Sequence, residues 1–439
     1  MLLLALAVHV AFVLAVGDAV LAADGAEYVT VARRLAEGRG FTTAGGKLYV
    51  HSHPPFYPVF LAAVFKMGGD LSSARLAQAA LSVLTLAFAY GAASEALGRK
   101  AAVAALWLGA LYFPAAYYDT QILTETFFAL PLAAGFYCLV RGWRASGAAR
   151  YGAFAAAGAA FGVAALIRTV ALPAALALSA YLLFADGAPG RRRLVRTAFF
   201  VVGASLVLAA WSGYVYGRTG RFVLVDTSGP AIFYIGNNER TPFHHAWRAL
   251  DDPAASAPLR EALDPGVDGF RVADAYRRAA VRYVLTHPVQ AGARIPGKIL
   301  DFLEPERLFA ASFLGGDVPD LAPGLAAPMI AAEVVADGAL LVLCGWGLVA
   351  MPRSRFADML RVLVVAVVAV HGVTYSYPRY HVPLVIIGLG AAGYAAAEGL
   401  PALWRRSLPK RQLVGGAVVA LVLLTSWART ALLYLVRGQ

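Results

Sequence analysis

The chain has 439 residues, 60% of them hydrophobic and only 15% charged, with a formal net charge of +12 and a mean hydropathy of +0.65. That balance excludes a soluble globular domain and describes an all-α, polytopic membrane protein. The positive charge does not indicate nucleic acid, because the basic residues sit in short clusters between apolar segments and leave no soluble basic face. The two cysteines, Cys138 and Cys344, both lie inside apolar segments, so no disulfide framework is expected.

The basic clusters set the expected topology. Arg99 and Lys100; Arg141, Arg144 and Arg150; Arg191 to Arg193 with Arg196; Arg353 and Arg355; and Arg405, Arg406, Lys410 and Arg411 mark cytoplasmic loops under the positive-inside rule. The intervening loops then face outward, across the inner (plasma) membrane of a cell.

Leu2 to Ala22 is long enough for a first span of about 20 residues. A cleaved signal peptide is the alternative, although the segment has no basic n-region. In either case Asp24 emerges on the outer face. Residues 27 to 38 carry Tyr28, Val31, Ala32 and Leu35 at helical spacing, with Gly38 and Gly40 behind them. Phe56, Val59, Phe60, Ala63, Val64 and Met67 repeat the pattern in a run too short to span. Both read as interfacial helices within a first external loop, 24 to 70.

Further spans are expected near 74 to 97, 101 to 118, 122 to 140, 151 to 167, 169 to 185 and 195 to 216. A long external loop, 218 to 325, follows the seventh span and carries an amphipathic juxtamembrane helix near Arg271 to His287. Four more spans, near 328 to 350, 357 to 375, 380 to 397 and 412 to 435, bring the total to about eleven. The organisation is an N-terminal transmembrane module (1 to 217), the long loop (218 to 325) and C-terminal transmembrane helices (326 to 439).

Five stretches, in this order and on this face, resemble a family. Asp24 followed by Tyr28, Ala32, Leu35 and Gly38 is similar to the start of the GT-C membrane glycosyltransferases, the group of protein O-mannosyltransferases and aminoarabinose transferases to lipid A. HPPFYPVFLA, ILTETFF (122 to 128), GVAALIRTVALP and YPRYHVPL look like that family's later motifs. There are two departures: Gly25 stands where a second acid is frequent, and Thr169 where proline is common.

The resemblance implies a polyprenyl-phosphate sugar donor, an inverting transfer to a lipid, protein or glycan acceptor, and an active site on the external, periplasmic face. Such chemistry needs a base for the acceptor proton and cations for the departing phosphate. Asp24 is the candidate base, with helix N-capping as its plain alternative; Glu125 is a second catalytic candidate. Arg168, Arg379, Lys298 and Arg75 are candidates for the donor phosphate. Tyr28, Tyr380, His53 and Asp119 are candidate substrate contacts, and His381 could instead meet the donor sugar. No cofactor is certain; a divalent metal held by His51 and His53 is a weaker option, since two histidines two residues apart are more often surface loop. Glu27 reads as first-turn decoration favoured by the helix dipole. A transporter or flippase of lipid-linked glycans, and a glycan polymerase or ligase, are the competing readings.

Overall fold

The computed structural model describes residues 1–17, 21–184, 189–264, 266–318, 323–405 and 407–437. Residues 18–20 of the expected first span, the end of the expected 169 to 185 span and Arg406 lie outside the described residues. The fold is all-helical: among the described residues the only β pairing is an isolated antiparallel bridge between Thr42 and Leu48.

The N-terminal half contains α1 (Leu2–Val16), α2 (Ala23–Ala36), α3 (Phe56–Lys66), α4 (Leu71–Leu97), α5 (Arg99–Ala110), α6 (Phe113–Thr120), α7 (Glu125–Arg144), α8 (Gly147–Ala165), α9 (Ala171–Phe184) and α10 (Gly190–Thr219). The long loop folds into α11 (Gly229–Gly236), α12 (Ala257–Leu263), α13 (Gly269–Thr286), α14 (Pro288–Phe302) and α15 (Leu308–Gly315). The chain continues with α16 (Pro323–Ala350), α17 (Arg355–Val373), α18 (Val382–Tyr394), α19 (Leu400–Trp404) and α20 (Lys410–Arg437).

Seven helical runs are long and apolar enough to cross a bilayer: α4, α7, α10, α16, α17, the run Pro378–Trp404 that contains α18 and α19, and α20. The pair α5 and α6, bent by 48°, makes an eighth if counted as one span. The expectation of about eleven also counted α1 and α9, which are apolar but shorter, and α8, which is built mostly of alanine and glycine. The difference comes from short and bent helices, which a hydropathy profile merges with their apolar flanks. The two expected helices of the first loop are present as α2 and α3.

Helices in a bilayer gain little from the hydrophobic effect against one another and associate by close packing, for which small residues are needed at the crossings. This chain supplies them. A Cβ on Gly158 of α8 would lie 1.8 Å from the Phe200 carbonyl oxygen of α10, and one on Gly203 of α10 would lie 2.1 Å from the Ala155 carbonyl oxygen. Gly162, one turn beyond Gly158, meets Ala204 in the same way at 2.9 Å. Gly393 against Ala101 (2.2 Å) and Gly347 against Ala391 (2.0 Å) join α18 to α5 and α16.

Replacing Gly158 with valine therefore forces α8 off α10. Overpacking of this kind costs about 1–3 kcal/mol, and the expected result is a lower thermal midpoint in detergent. Gly152→Ala, at a position with nothing near its Cβ, serves as the neutral control.

Candidate active site

Four charged side chains from distant parts of the sequence meet at one end of the bundle. Asp24 lies in the first turn of α2, Glu125 opens α7, Arg168 sits in the turn between α8 and α9, and Arg379 belongs to a single 3-10 turn, Pro378–His381, ahead of α18. Arg379 donates to Asp24 Oδ2 at 3.0 Å and its Nε lies 3.7 Å from Glu125 Oε1; Arg168 donates to the same Glu125 oxygen at 2.7 Å and to Thr124 Oγ1 at 3.1 Å. The result is an alternating chain of carboxylate, guanidinium, carboxylate and guanidinium.

Local backbone features hold each member. Asp24 makes no capping hydrogen bond and lies inside the helix, so the N-cap alternative does not describe it. Gly25 lets α2 lie against the turn before α7, where a Cβ would meet the Ile122 carbonyl oxygen at 2.9 Å. A second acid at position 25 would have no room, which accounts for that departure from the family pattern. The Phe56 amide, following two prolines, donates to the Leu166 carbonyl at 2.9 Å and ties the start of α3 to the turn carrying Arg168. Thr169, the other departure, donates to Asp226 Oδ2 at 2.6 Å and anchors the long loop beside Arg168.

Aromatic rings support the guanidinium groups. Arg168 lies over the Tyr380 ring at 4.6 Å, and Arg379 lies 5.5 Å from the same ring and 5.4 Å from Tyr377. Tyr380 stacks on His371 (4.9 Å), which stacks on Phe302 (5.1 Å). A cation over a ring face gains about 0.5–2 kcal/mol, more when desolvated, and this stack also fixes the height of both arginines. Tyr377 and His371 were not singled out from the sequence, although Tyr377 lies within the YPRYH motif that pointed to Arg379.

Burial pushes the Asp24 carboxyl up, but the charges of Arg379, His53 and Arg168 outweigh it and hold the carboxyl below its ordinary value. Asp24 is therefore a charged acceptor at neutral pH. His53 Nδ1 is 2.8 Å from Ser52 Oγ and 3.7 Å from Glu27 Oε2, and its ring lies edge-to-face with Tyr28 (5.1 Å) and stacks on Tyr49 (6.1 Å). Tyr28 itself is buried between α2 and α3, edge-on to Tyr57.

Other expected residues are placed elsewhere. Arg75 is buried and donates to the Thr120 carbonyl at 2.9 Å, and Asp119 is fully buried, taken up by His9 (2.5 Å), Ser82 (2.6 Å) and Thr126 (2.9 Å). Both belong to a polar seam between α1, α4, α6 and α7. Lys298 reaches Asn237 Oδ1 (3.3 Å) and the Val373 carbonyl (3.2 Å), and burial, with Arg294 nearby, lowers its ammonium to about 8. His51 is bound to Thr227 Oγ1 and packed on Phe270, with burial lowering it to about 4. His381 has both ring nitrogens engaged, by the Phe302 carbonyl and by Asp337.

Among the described residues, the one cluster of three side chains able to hold a metal is His245, Asp301 and Glu304, and it does not include His51 or His53. Its carboxylates are already matched by Arg429, Arg307 and His245, so it reads as an ion-paired strut between α14 and α20.

Residues 52–216 match the family described as dolichyl-phosphate-mannose-protein mannosyltransferase. No curated protein sequence matches the chain. Among solved structures, ArnT from Cupriavidus metallidurans bound to undecaprenyl phosphate is similar over 95% of this chain and 63% of its own, at 21% identity and a TM-score of 0.55. The archaeal oligosaccharyltransferase AglB from Archaeoglobus fulgidus, in complex with an inhibitory peptide and a dolichol-phosphate, is similar over 97% of this chain and 54% of its own, at 13% identity and a TM-score of 0.51. The chain thus spans less than two thirds of the length of these proteins. It shares the fold of these two proteins, and its long apolar helices are those of a multi-pass membrane protein.

Two outcomes are expected. Because the folded state favours ionised Asp24, its pairing stabilises the protein above the ordinary carboxylate range and is lost as pH falls through the lowered value. The thermal midpoint of the wild type should therefore exceed that of Asp24→Asn at pH 7, with the gap closing on acidification. Glu125→Ala leaves two guanidinium groups without their shared carboxylate, and breaking a buried pair costs on the order of 3–5 kcal/mol, seen as a large loss of thermal stability.

Proposed function

We propose that this chain transfers a sugar from a polyprenyl-phosphate donor to an acceptor hydroxyl, with inversion, on the external face of the inner membrane. The observation that carries the reading is the alternating chain of Asp24, Arg379, Glu125 and Arg168, in which a carboxylate and two guanidinium forks stand side by side. The fold and the family match over residues 52–216 support the same class.

In this mechanism Asp24 takes the proton of the acceptor hydroxyl, and that oxygen attacks the anomeric carbon from the side opposite the phosphate. The bond from the anomeric carbon to the phosphate oxygen breaks, and polyprenyl phosphate leaves with the bonding electrons. Arg379 and Arg168 stabilise the negative charge that develops on the phosphate, each offering a planar fork suited to two oxygens. Glu125 acts as their positioning residue. Arg75, Asp119 and Lys298 are assigned supporting roles through the networks that hold them. An apolar cavity of about 250 Å3 between α16, α17, α18 and α20, with His381 and Phe302 at its edge, has the lining a hydrocarbon tail requires.

The test is release of polyprenyl phosphate from a panel of radiolabelled polyprenyl-phosphate sugars by the full chain in nanodiscs. Asp24→Asn should lower turnover by about 10²–10⁴-fold, the usual contribution of a general base, with donor binding retained. Arg379→Ala should weaken binding of undecaprenyl phosphate itself. Wild-type turnover in a folded Asp24→Asn protein would overturn the assignment of the base.

A further inference from the structure

Beside the charged chain lies a cavity of about 400 Å3, within the usual size of small-molecule sites. Ala26, Glu27, Thr30 and Val31 of α2 form one wall, and Thr43 to Gly45, at the tip of the turn closed by the Thr42–Leu48 bridge, form the other. Glu27 follows Asp24 by three residues, so the two carboxylates are neighbours on one face of the helix.

Polar atoms around this cavity are held but not saturated. Glu27 Oε2 accepts from Ser52 Oγ at 2.9 Å with His53 close by, while Oε1, though buried, has no partner among the described residues. Thr43 is only 9% exposed and its hydroxyl also has no partner; the same holds for the fully buried Tyr49 hydroxyl, whose ring stacks on His53. Buried polar atoms are rarely left unbonded, since each costs about 1–3 kcal/mol. Two of them, Glu27 Oε1 and Thr43 Oγ1, belong to residues that line one opening and mark a place where a ligand supplies the missing bonds.

The lining also indicates the ligand's chemistry. An ammonium group would call for several carboxylates or a cage of aromatic faces. Here there is one carboxylate, which accepts, and the Thr43 hydroxyl, which both donates and accepts; the Thr30 hydroxyl already donates to the Ala26 carbonyl at 2.8 Å and is left to accept. Ala26, Ala44 and Gly45 keep the walls low. That set matches the hydroxyl groups of a sugar ring.

We propose that this cavity is a glycosyl subsite, in which Glu27 and Thr43 hold hydroxyls of a sugar ring beside Asp24. The proposal deepens the transferase reading and rests on it. Lys47 is the positioning residue for the outer wall: its ammonium donates to the carbonyls of Ala262 (2.6 Å), Asp264 (2.8 Å) and Val267 (2.8 Å), so the turn carrying Thr43 is fastened to the end of α12.

The experiment uses the full chain in nanodiscs with two kinds of probe. Methyl glycosides of mannose, glucose, galactose and arabinose, in both anomers, are titrated by saturation-transfer NMR, and undecaprenyl phosphate binding is measured in parallel. Saturable binding of at least one glycoside is expected, weakened at least tenfold in both Glu27→Gln and Thr43→Val, with undecaprenyl phosphate affinity unchanged in both variants. The lipid-linked form of that sugar distinguishes the source: displacement of the glycoside assigns the subsite to the donor, and simultaneous binding assigns it to the acceptor. If undecaprenyl phosphate binds and no glycoside does, or if glycoside binding is indifferent to both substitutions, the subsite is overturned while the transferase reading stands. If neither probe binds, the transferase reading itself falls.

Discussion

The interaction on which the site depends is the shared carboxylate of Glu125. It is almost fully buried and lies between Arg168 and Arg379, two cations that would otherwise repel each other at the same end of the bundle. Removing charges from water is expensive, and their mutual attraction repays it only when geometry is good and the remaining lone pairs and protons are used. Here part of that compensation comes from Asp24 on one side and the stacked rings of Tyr380, His371 and Phe302 on the other, while Glu125 Oε2 and Arg379 Nε keep no hydrogen-bond partner among the described residues. Since the four charged residues come from four separated parts of the chain, α2, α7, the α8–α9 turn and the turn before α18 must all be docked before the whole set is paired. The site is therefore a consequence of the assembled bundle rather than of any single motif.

The same arrangement couples the proposed base to the proposed phosphate-binding group. Arg379 touches the carboxylate proposed to take the proton, and it does so through one oxygen, Oδ2. In the resting site two carboxylates face two guanidinium groups, so the local charge is close to balanced. An arriving phosphate would compete for both arginines and draw them from the carboxylates, which would leave Asp24 a stronger base at the moment the donor is in place. Such ordering follows from electrostatics alone and needs no movement of the backbone.

How much of this was legible in the sequence depends on what each residue does. Asp24, Glu125, Arg168 and Arg379 could be picked out because each is a charge at the end of an apolar run, where ionisable groups are rarely idle, and because each sits in a family-like motif. Arg75 and Asp119 satisfied the first condition equally well and are buried in a separate seam. Position along the chain tells how deep a residue lies but not which way around a helix it points. The helices α2 and α3 were visible in their apolar spacing, whereas the start of α2 was not: its first turn begins at Ala23, which places Asp24 inside the helix and not at its cap. Glu27 was passed over for a related reason. An acid in a first turn is common, and only the turn folded over it by Lys47, forty-seven residues into the chain but bonded to residues beyond 260, makes it part of a cavity.

That long-range bond changes how the long loop is to be understood. A loop of this length invites description as a lid, yet its first part is tied to the site at three places: Thr169 to Asp226, the Val50 carbonyl to the Thr227 amide at 2.9 Å, and Lys47 to carbonyls in the last turn of α12 and just beyond it. Farther along, Asp301 and Glu304 pin α14 to the 245–246 turn and to α20. With both ends fastened, wholesale hinging of the loop would break several buried bonds at once. Thr227 and the carbonyls at the end of α12 instead brace the segment that carries Thr43 from outside the cavity, so that an opening there would come through smaller shifts, of the Thr43 turn or of the arginine side chains.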